Sequence, residues 1–165
     1  MAKQTDNGDQ NEGIDARLKR LGIEIPMAPT PAANYVPFVV SRGLVHIAGQ
    51  VPVKDGQFRW VGKLGREFSV EQGQEAAREV ALNVLSQLKT ALDGDLSRVV
   101  RAVKLNGFVN CMPDFVSQPH VINGASALMV EVFGEPGRHA RSAVGVASLP
   151  FGVAVEIDAI FEVQD

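Results

Sequence analysis

Cysteine is almost absent from these 165 residues: Cys111 stands alone. A single thiol cannot close an internal disulfide, which suits a reducing compartment, and near a strand end it reads as an inert buried thiol rather than a nucleophile. His46, His120 and His139 are scattered, with no short-spaced ligand pair, so no metal site is expected. A basic block is missing too. With 16 Lys and Arg against 19 Asp and Glu the net charge is −3, so a surface that tracks nucleic-acid phosphates is not expected. No apolar run reaches the length needed to span a bilayer, and the first residues carry no hydrophobic signal core. The expectation is a cytoplasmic protein without a membrane partner. G-x-S-x-G, a Walker-type loop and a strand-linked dinucleotide fingerprint are all lacking. Serine hydrolysis, phosphoryl transfer and hydride transfer drop out as leading chemistries.

What is present fits one domain with a sizeable core. Residues 1–12, MAKQTDNGDQNE, are polar and cannot repay the entropy of ordering, so they are expected to be a disordered tail. Residues 13–34 read as a short helix and a Pro-rich connector. Ile14, Leu18 and Leu21 recur at helical spacing, Gly22 is placed to end the helix, and Pro26, Pro29 and Pro31 follow.

The remaining span, 35–165, alternates strand-like and helical patterns. Val36 to Val40, the turn Ser41-Arg42-Gly43 and Leu44 to Ala48 read as a β-hairpin, and Asp55-Gly56 marks a further turn. Ser69-Val-Glu-Gln72 is a capping-box pattern opening a long helix whose stripe is Ala77, Val80, Ala81, Val84, Leu85, Leu88 and Leu92. A Val-rich strand over 99–109 follows. A second helix over roughly 118–133 is expected to turn Ile122, Ala125, Ser126, Met129, Val130 and Phe133 inward, and Gly134 to Gly137 ends it.

The stretch 141–158, RSAVGVASLPFGVAVEID, reads as two strands around a Leu-Pro-Phe-Gly turn. Period 2 puts Arg141, Ala143, Gly145 and Ala147 on one face of the first strand. A guanidinium thus stands over a floor of very small residues. On the second strand Ala154, Glu156 and Asp158 share a face. If the two strands pair as a hairpin, a register that joins their apolar faces also brings Arg141 and Glu156 to a common polar side. On pattern alone this is either a weak surface ion pair or an anion site with a carboxylate beside it.

The run Ala140-Arg141-Ser142-x-Val144-x-Val146-x-x-Leu149-Pro150, followed by Val155-Glu156-Ile157, resembles the C-terminal signature of the YjgF/YER057c/UK114 (Rid) family of reactive-imine deaminases. Tyr35, the segment Ala48-Gly49-Gln50-Val51-Pro52, the helix from Ser69, Gly107-Phe108-Val109 and Asn123 fall in the family's order over roughly 35–163. The resemblance implies a chorismate-mutase-like α+β fold: a mixed six-stranded sheet with two main helices on one face. It also implies a homotrimer with pockets between subunits. Arg141 and Glu156 are implied as catalytic, with Tyr35, Ala48, Gly49, Asn123 and Ala143 lining the substrate site. Three of these have a plainer reading: Gly49 as a bulge or turn glycine, Tyr35 as a packed strand-edge aromatic, Asn123 as a solvated helix residue.

The implied reaction is hydrolysis of a small enamine or imine derived from an amino acid, giving ammonia and a 2-oxo acid, with no cofactor. Arg141 would bind the carboxylate as a two-point donor and Glu156 would orient or deprotonate water. The chain departs from many relatives at Ala143, where they carry cysteine, at Gly145, where they carry a polar group, and at Ala48, where they carry serine. A non-catalytic trimeric sensor or carrier of small carboxylate metabolites is the alternative. The endoribonuclease activity often attached to the family has no visible means of holding RNA here.

Overall fold

The computed structural model describes residues 12–28 and 34–164. The expected tail therefore falls, apart from Glu12, outside the described residues, as do Pro29 and Pro31 of the connector. Glu12 itself pairs with Arg20 at 2.8 Å. Helix α1, Ile14–Leu21, closes on Gly22 at φ 63°, a left-handed cap that costs a glycine little.

Strands β1, Phe38–Ser41, and β2, Leu44–Gln50, form the expected hairpin across Arg42 and Gly43. Val53–Lys54 (β3) and Gln57–Phe58 (β4) make a separate two-stranded ribbon. Its tip residues, Asp55 and Gly56, both have positive φ, 52° and 75°, as a tight two-residue hairpin turn requires. Helix α2, Val70–Ala91, starts on the capping box: the Gln72 N–H donates to Ser69 Oγ at 3.3 Å, and the Ser69 N–H donates to Gln72 Oε1 at 3.0 Å. The whole apolar stripe from Ala77 to Leu92 is buried.

After strand β5, Val99–Asn110, helix α3 runs from Gln118 to Phe133. Its inward set is wider than period 3.6 suggested. Val121, Leu128 and Val132 are buried along with Ile122, Ala125, Met129 and Phe133, while Ser126 and Val130 stay half-buried. The reason is that α3 packs on the sheet and on α2 together. Gly124 allows that approach, since a Cβ there would strike the backbone of Gln74. Gly107 on β5 does the same for Ile122.

Strands β6, Ala140–Val146, and β7, Val155–Val163, complete a mixed five-stranded sheet in the order β1-β2-β7-β5-β6. The sheet therefore has five strands rather than six, with the ribbon apart from it. Both long helices cover one face, as expected, and the fold is α+β.

One expectation fails. The last two strands are not a hairpin, because β5 lies between them, parallel to β6 and antiparallel to β7. Helix α3 is the crossover that makes β5 and β6 parallel, and twelve-residue β5 then offers its other edge to β7. The link over 147–154 crosses the end of β5. Lys63 Nζ holds it by donating to the Ala147 carbonyl and to Asn110 Oδ1, both at 2.6 Å, and Asn110 Nδ2 donates to the Val153 carbonyl at 3.0 Å.

The register carries a second correction. Arg141 lies opposite Leu105 and Leu105 opposite Ala159, all on the helix side, whereas Glu156 lies opposite Phe108 on the open side. Arg141 and Glu156 thus stand on opposite faces of the sheet, because neighbours across a ladder share a face.

Candidate functional site

Arg141 sits on the edge strand under the first turns of α3. Its Nη1 donates to Asn123 Oδ1 at 2.8 Å and to Ser126 Oγ at 3.1 Å, and Nη2 donates to the Pro119 carbonyl at 3.2 Å. All three partners are neutral. Nε–H and the second hydrogen of Nη2 have no partner among the described residues, so the cation keeps donor capacity and an uncompensated charge. Asn123 and Ser126 are one helical turn apart, which is why both reach the same guanidinium.

The small-residue floor is only partly open. Ala143 packs against the edge of the core, and the space a side chain at Gly145 would need is taken by Cys111 Sγ and the Gln118 amide, each 2.8 Å from where a Cβ would stand. Cys111 itself is buried. Gln118 Nε2 also donates to the Phe115 carbonyl at 2.6 Å. The glycine is therefore explained by this close approach as well as by room for a ligand.

The second group lies elsewhere. A cleft of about 670 Å³ is lined by Tyr35, Gly49, Gln50, Phe58, Phe151 and Glu156 among others. Its outer wall is the Phe58–Phe151 pair, stacked at 4.0 Å with 16° between the rings. Phe58 comes from the ribbon and Phe151 from the link after β6, where it holds a positive φ of 58°. Buried Asn83 on α2 donates to the Val51 and Val53 carbonyls at 2.9 and 3.1 Å, and Ser86 donates to the Pro26 carbonyl at 2.7 Å. Two polar residues in the buried stripe of a helix thus anchor the backbone of the cleft wall.

Glu156 is the half-buried acid of this cleft. Burial, and then the Asp158 carboxylate on the same face, push its pKa above the ordinary carboxylate value. Gly49 sits at the irregularity between Ile47 and Gln50, and the Glu156 carboxylate fills the volume where a Cβ at 49 would go. Gly49 is thus a glycine at a strand irregularity, as its plainer reading had it, and it also lines the cleft. Tyr35 lines the cleft and is half-exposed rather than packed in the core. Ala48 does not line it; its N–H donates to the Pro37 carbonyl at 3.0 Å.

The structure thus groups Tyr35, Gly49 and Glu156 in one place, and Arg141 and Asn123, with Ala143 two residues along the same strand face, in another. Ser126, His139 and the cleft aromatics Phe58 and Phe151 were not singled out from sequence. The i, i+3 spacing of Asn123 and Ser126, and the i, i+2 spacing of His139 and Arg141, were the available signals. Among the described residues no group of three or more His, Cys, Asp or Glu is placed to hold a metal ion, and no helix is long and apolar enough to cross a membrane.

Comparison with known proteins bears on this geometry. Residues 15–159 match the family described as "YjgF/chorismate_mutase-like, putative endoribonuclease". The chain is 54% identical over 153 residues to Protein TCP17 of Trypanosoma cruzi, covering 92% of this chain and 95% of that one. It is 29% identical over 142 residues to the 2-iminobutanoate/2-iminopropanoate deaminase of Dermatophagoides farinae, covering 86% and 95%. Among solved structures, that of Atu1372, a protein of unknown function from Agrobacterium tumefaciens, is 53% identical with a TM-score of 0.85 over 92% of each chain.

Proposed function

Since this chain belongs to the YjgF/chorismate mutase-like family, we propose that it hydrolyses small enamine or imine intermediates derived from amino acids. Water adds to the C=N carbon, the C–N bond breaks, and a 2-oxo acid and ammonia leave. The observation that carries this reading is the state of Arg141: among the described residues the guanidinium is tethered only by neutral acceptors, with donors to spare and no carboxylate partner. A substrate carboxylate supplies the missing charge and a two-point acceptor.

Such imines already hydrolyse in water, so the demand on the site is modest. It must hold the carboxylate, orient the C=N carbon and place one water. Glu156 is the group for the water. Its raised pKa makes the ionised carboxylate a stronger base, which accepts a proton from the attacking water and, once protonated, returns one to the departing nitrogen. Asn123 fixes the arginine, and Tyr35 borders the cleft in which Glu156 lies.

Arg141 and Glu156 lie on opposite faces of one sheet, so a single copy does not bring them together. The reading therefore includes a homotrimer in which Arg141 of the partner subunit faces the Glu156 cleft. Strand β6, which carries Arg141, is an edge strand, and the open sheet face exposes Val144 opposite Phe108. The name of the mite relative supports the reaction class.

The alternative is a trimeric sensor or carrier of small carboxylate metabolites. It is favoured by Ala143 and Gly145, which leave the helix-side face of β6 beyond Arg141 without a thiol or polar side chain of its own. The ribonuclease in the family description draws no support from a chain of net charge −3.

The test is to generate 2-aminoacrylate or 2-iminobutanoate in situ and follow loss of the imine. Acceleration by the wild type and its loss in Arg141→Ala support the deaminase. Tight binding of a 2-oxo acid without turnover favours the carrier. Equal acceleration by both forms removes Arg141 from the mechanism.

A further inference from the structure

The hydrogen bonds of Arg141 do not end at Ser126. Ser126 Oγ lies 3.0 Å from His139 Nε2, and His139 Nδ1 lies 2.7 Å from the Gly137 carbonyl. We propose that Ser126 and His139 are positioning residues for Arg141, forming a relay that holds the guanidinium only while the imidazole is neutral. This rests on the reading of Arg141 as the carboxylate anchor.

The direction of the relay follows from donor and acceptor chemistry. The Gly137 carbonyl can only accept, so Nδ1 carries the ring proton. In the neutral ring Nε2 is then an acceptor, and it takes the Ser126 hydroxyl proton. The lone pairs of Ser126 Oγ are left facing Arg141, which donates to them. Every member has one consistent role.

The starting carbonyl is itself held in place. Gly137 lies in the tight turn after α3, against the backbone of Met129 and Val130, where a Cβ would collide with the Met129 carbonyl. The Gly137 N–H donates to the Gly134 carbonyl at 2.9 Å. The end of one helix thereby fixes the ring, the ring fixes a hydroxyl on the same helix, and the hydroxyl fixes a cation on the neighbouring strand.

Protonation breaks the pattern. An imidazolium would donate from Nε2 to Ser126 Oγ, so two cationic donors would share one hydroxyl oxygen, whose own proton must turn out of the relay. The titratable and charged groups on the surrounding elements are Arg141 on β6, Lys104 and Arg101 on β5, the latter reaching the Arg138 carbonyl at 3.4 Å, His120 and Glu131 on α3, with Glu131 paired to Arg78 at 2.7 Å, and the Arg138–Glu135 pair at 2.9 Å on the turn. Arg141 is the one whose charge bears on the ring. Burial lowers the histidine pKa, the Gly137 carbonyl raises it, and Arg141 lowers it, with a net shift downward. The neutral form is therefore held at physiological pH and is lost only in acid.

The experiment measures binding of 2-oxobutanoate to the full chain by calorimetry between pH 5 and 8. It uses a Glu156→Gln background, so that the Glu156 proton does not contribute, and the ligand carboxylate stays ionised throughout. In that parent, affinity is expected to fall about tenfold toward pH 5, the scale of one hydrogen bond to a charged group. His139→Ala binds about tenfold more weakly near neutrality. His139→Gln, which offers an acceptor near the Nε2 position and does not titrate, recovers part of that loss and shows no acid limb. Ser126→Ala weakens binding as His139→Ala does.

An unchanged acid limb in His139→Gln, or parent-like affinity in His139→Ala and Ser126→Ala, overturns the relay. If Arg141→Ala abolishes binding while those variants behave as the parent, the relay alone has failed. If Arg141→Ala binds as the parent, the anchor reading has failed with it. A ring ¹⁵N spectrum of wild type gives a check that needs no ligand: the proton is expected on Nδ1 at neutral pH, and finding it on Nε2 overturns the relay.

Discussion

The Glu156 carboxylate occupies the volume that a Cβ on Gly49 would fill. The pair spans two neighbouring strands, β2 and β7, at the place where their register shifts. A glycine there leaves the acid its position in the cleft. Gly49→Ala is expected to displace the flexible end of Glu156 rather than the backbone, so stability should fall by no more than about 1 kcal/mol. Imine turnover should drop at least about tenfold, because the acid no longer reaches its water. Thermal unfolding and initial rates on the same sample separate the two effects. Unimpaired turnover would show that Glu156 does not act from this position.

Arg141 makes three hydrogen bonds with a planar fork. Arg141→Ala should lower kcat/KM by about a hundredfold, the scale of a lost charge-assisted two-point contact. Arg141→Lys should regain less than about tenfold, since an ammonium cannot hold Asn123, Ser126 and a substrate carboxylate in one plane. Steady-state kinetics on both variants decide this. Full recovery by lysine would mean that charge alone suffices.

Glu156 has a raised pKa, and the sign of its effect on stability follows. Between the ordinary carboxylate value and the raised one, the folded state binds more protons than the unfolded state, so stability falls as pH rises through that window. Glu156→Gln removes the cost of ionising a half-buried acid. The variant should melt about 1–3 °C above wild type at pH 8, a modest gain because the group is partly solvated, and the difference should close near pH 4. A pH series of melting curves checks it. A wild type that melts higher than the variant at pH 8 would contradict the burial account.

On the open face of the sheet, Val144 and Phe108 lie opposite each other beside Glu156, and Ile160 lies opposite Lys104 and His46. If this face is covered by other copies, wild type should scatter light as a particle of three times 17.7 kDa at micromolar concentration. Val144→Asp with Ile160→Asp should then bring the mass down toward that of one chain while the far-UV spectrum is kept, since burying an unpaired carboxylate is costly. A wild type that scatters as one chain at that concentration would remove the trimer.

Much of the architecture was legible in advance because it rests on local chemistry. The capping box at Ser69 and Gln72, the stripe of α2, the left-handed stop at Gly22 and the turn at Asp55-Gly56 all act within a few residues of chain. Helix α3 was harder to read: its second buried side, Val121, Leu128 and Val132, exists only because α2 lies against it. The pairing of the last two strands is not legible locally for a similar reason. A turn-like Leu-Pro-Phe-Gly sequence between two Val-rich runs suits a hairpin, but nothing local reveals that β5 will take both as neighbours.

The resemblance to a known family carried the α+β class, and sequence alone determined the helix limits and the strand parity that sets Arg141 with the small residues and Glu156 with Asp158. These follow from backbone periodicity and capping, which are properties of adjacent residues. Tertiary structure alone decided that the two charged groups face opposite sides of the sheet, and that Arg141 is met by Asn123, by Ser126 and, through Ser126, by His139. Those outcomes depend on strand order and on the seating of α3 over β5 and β6. They arise from contacts between residues far apart in the chain, where burial and steric fit rather than local preference select the arrangement.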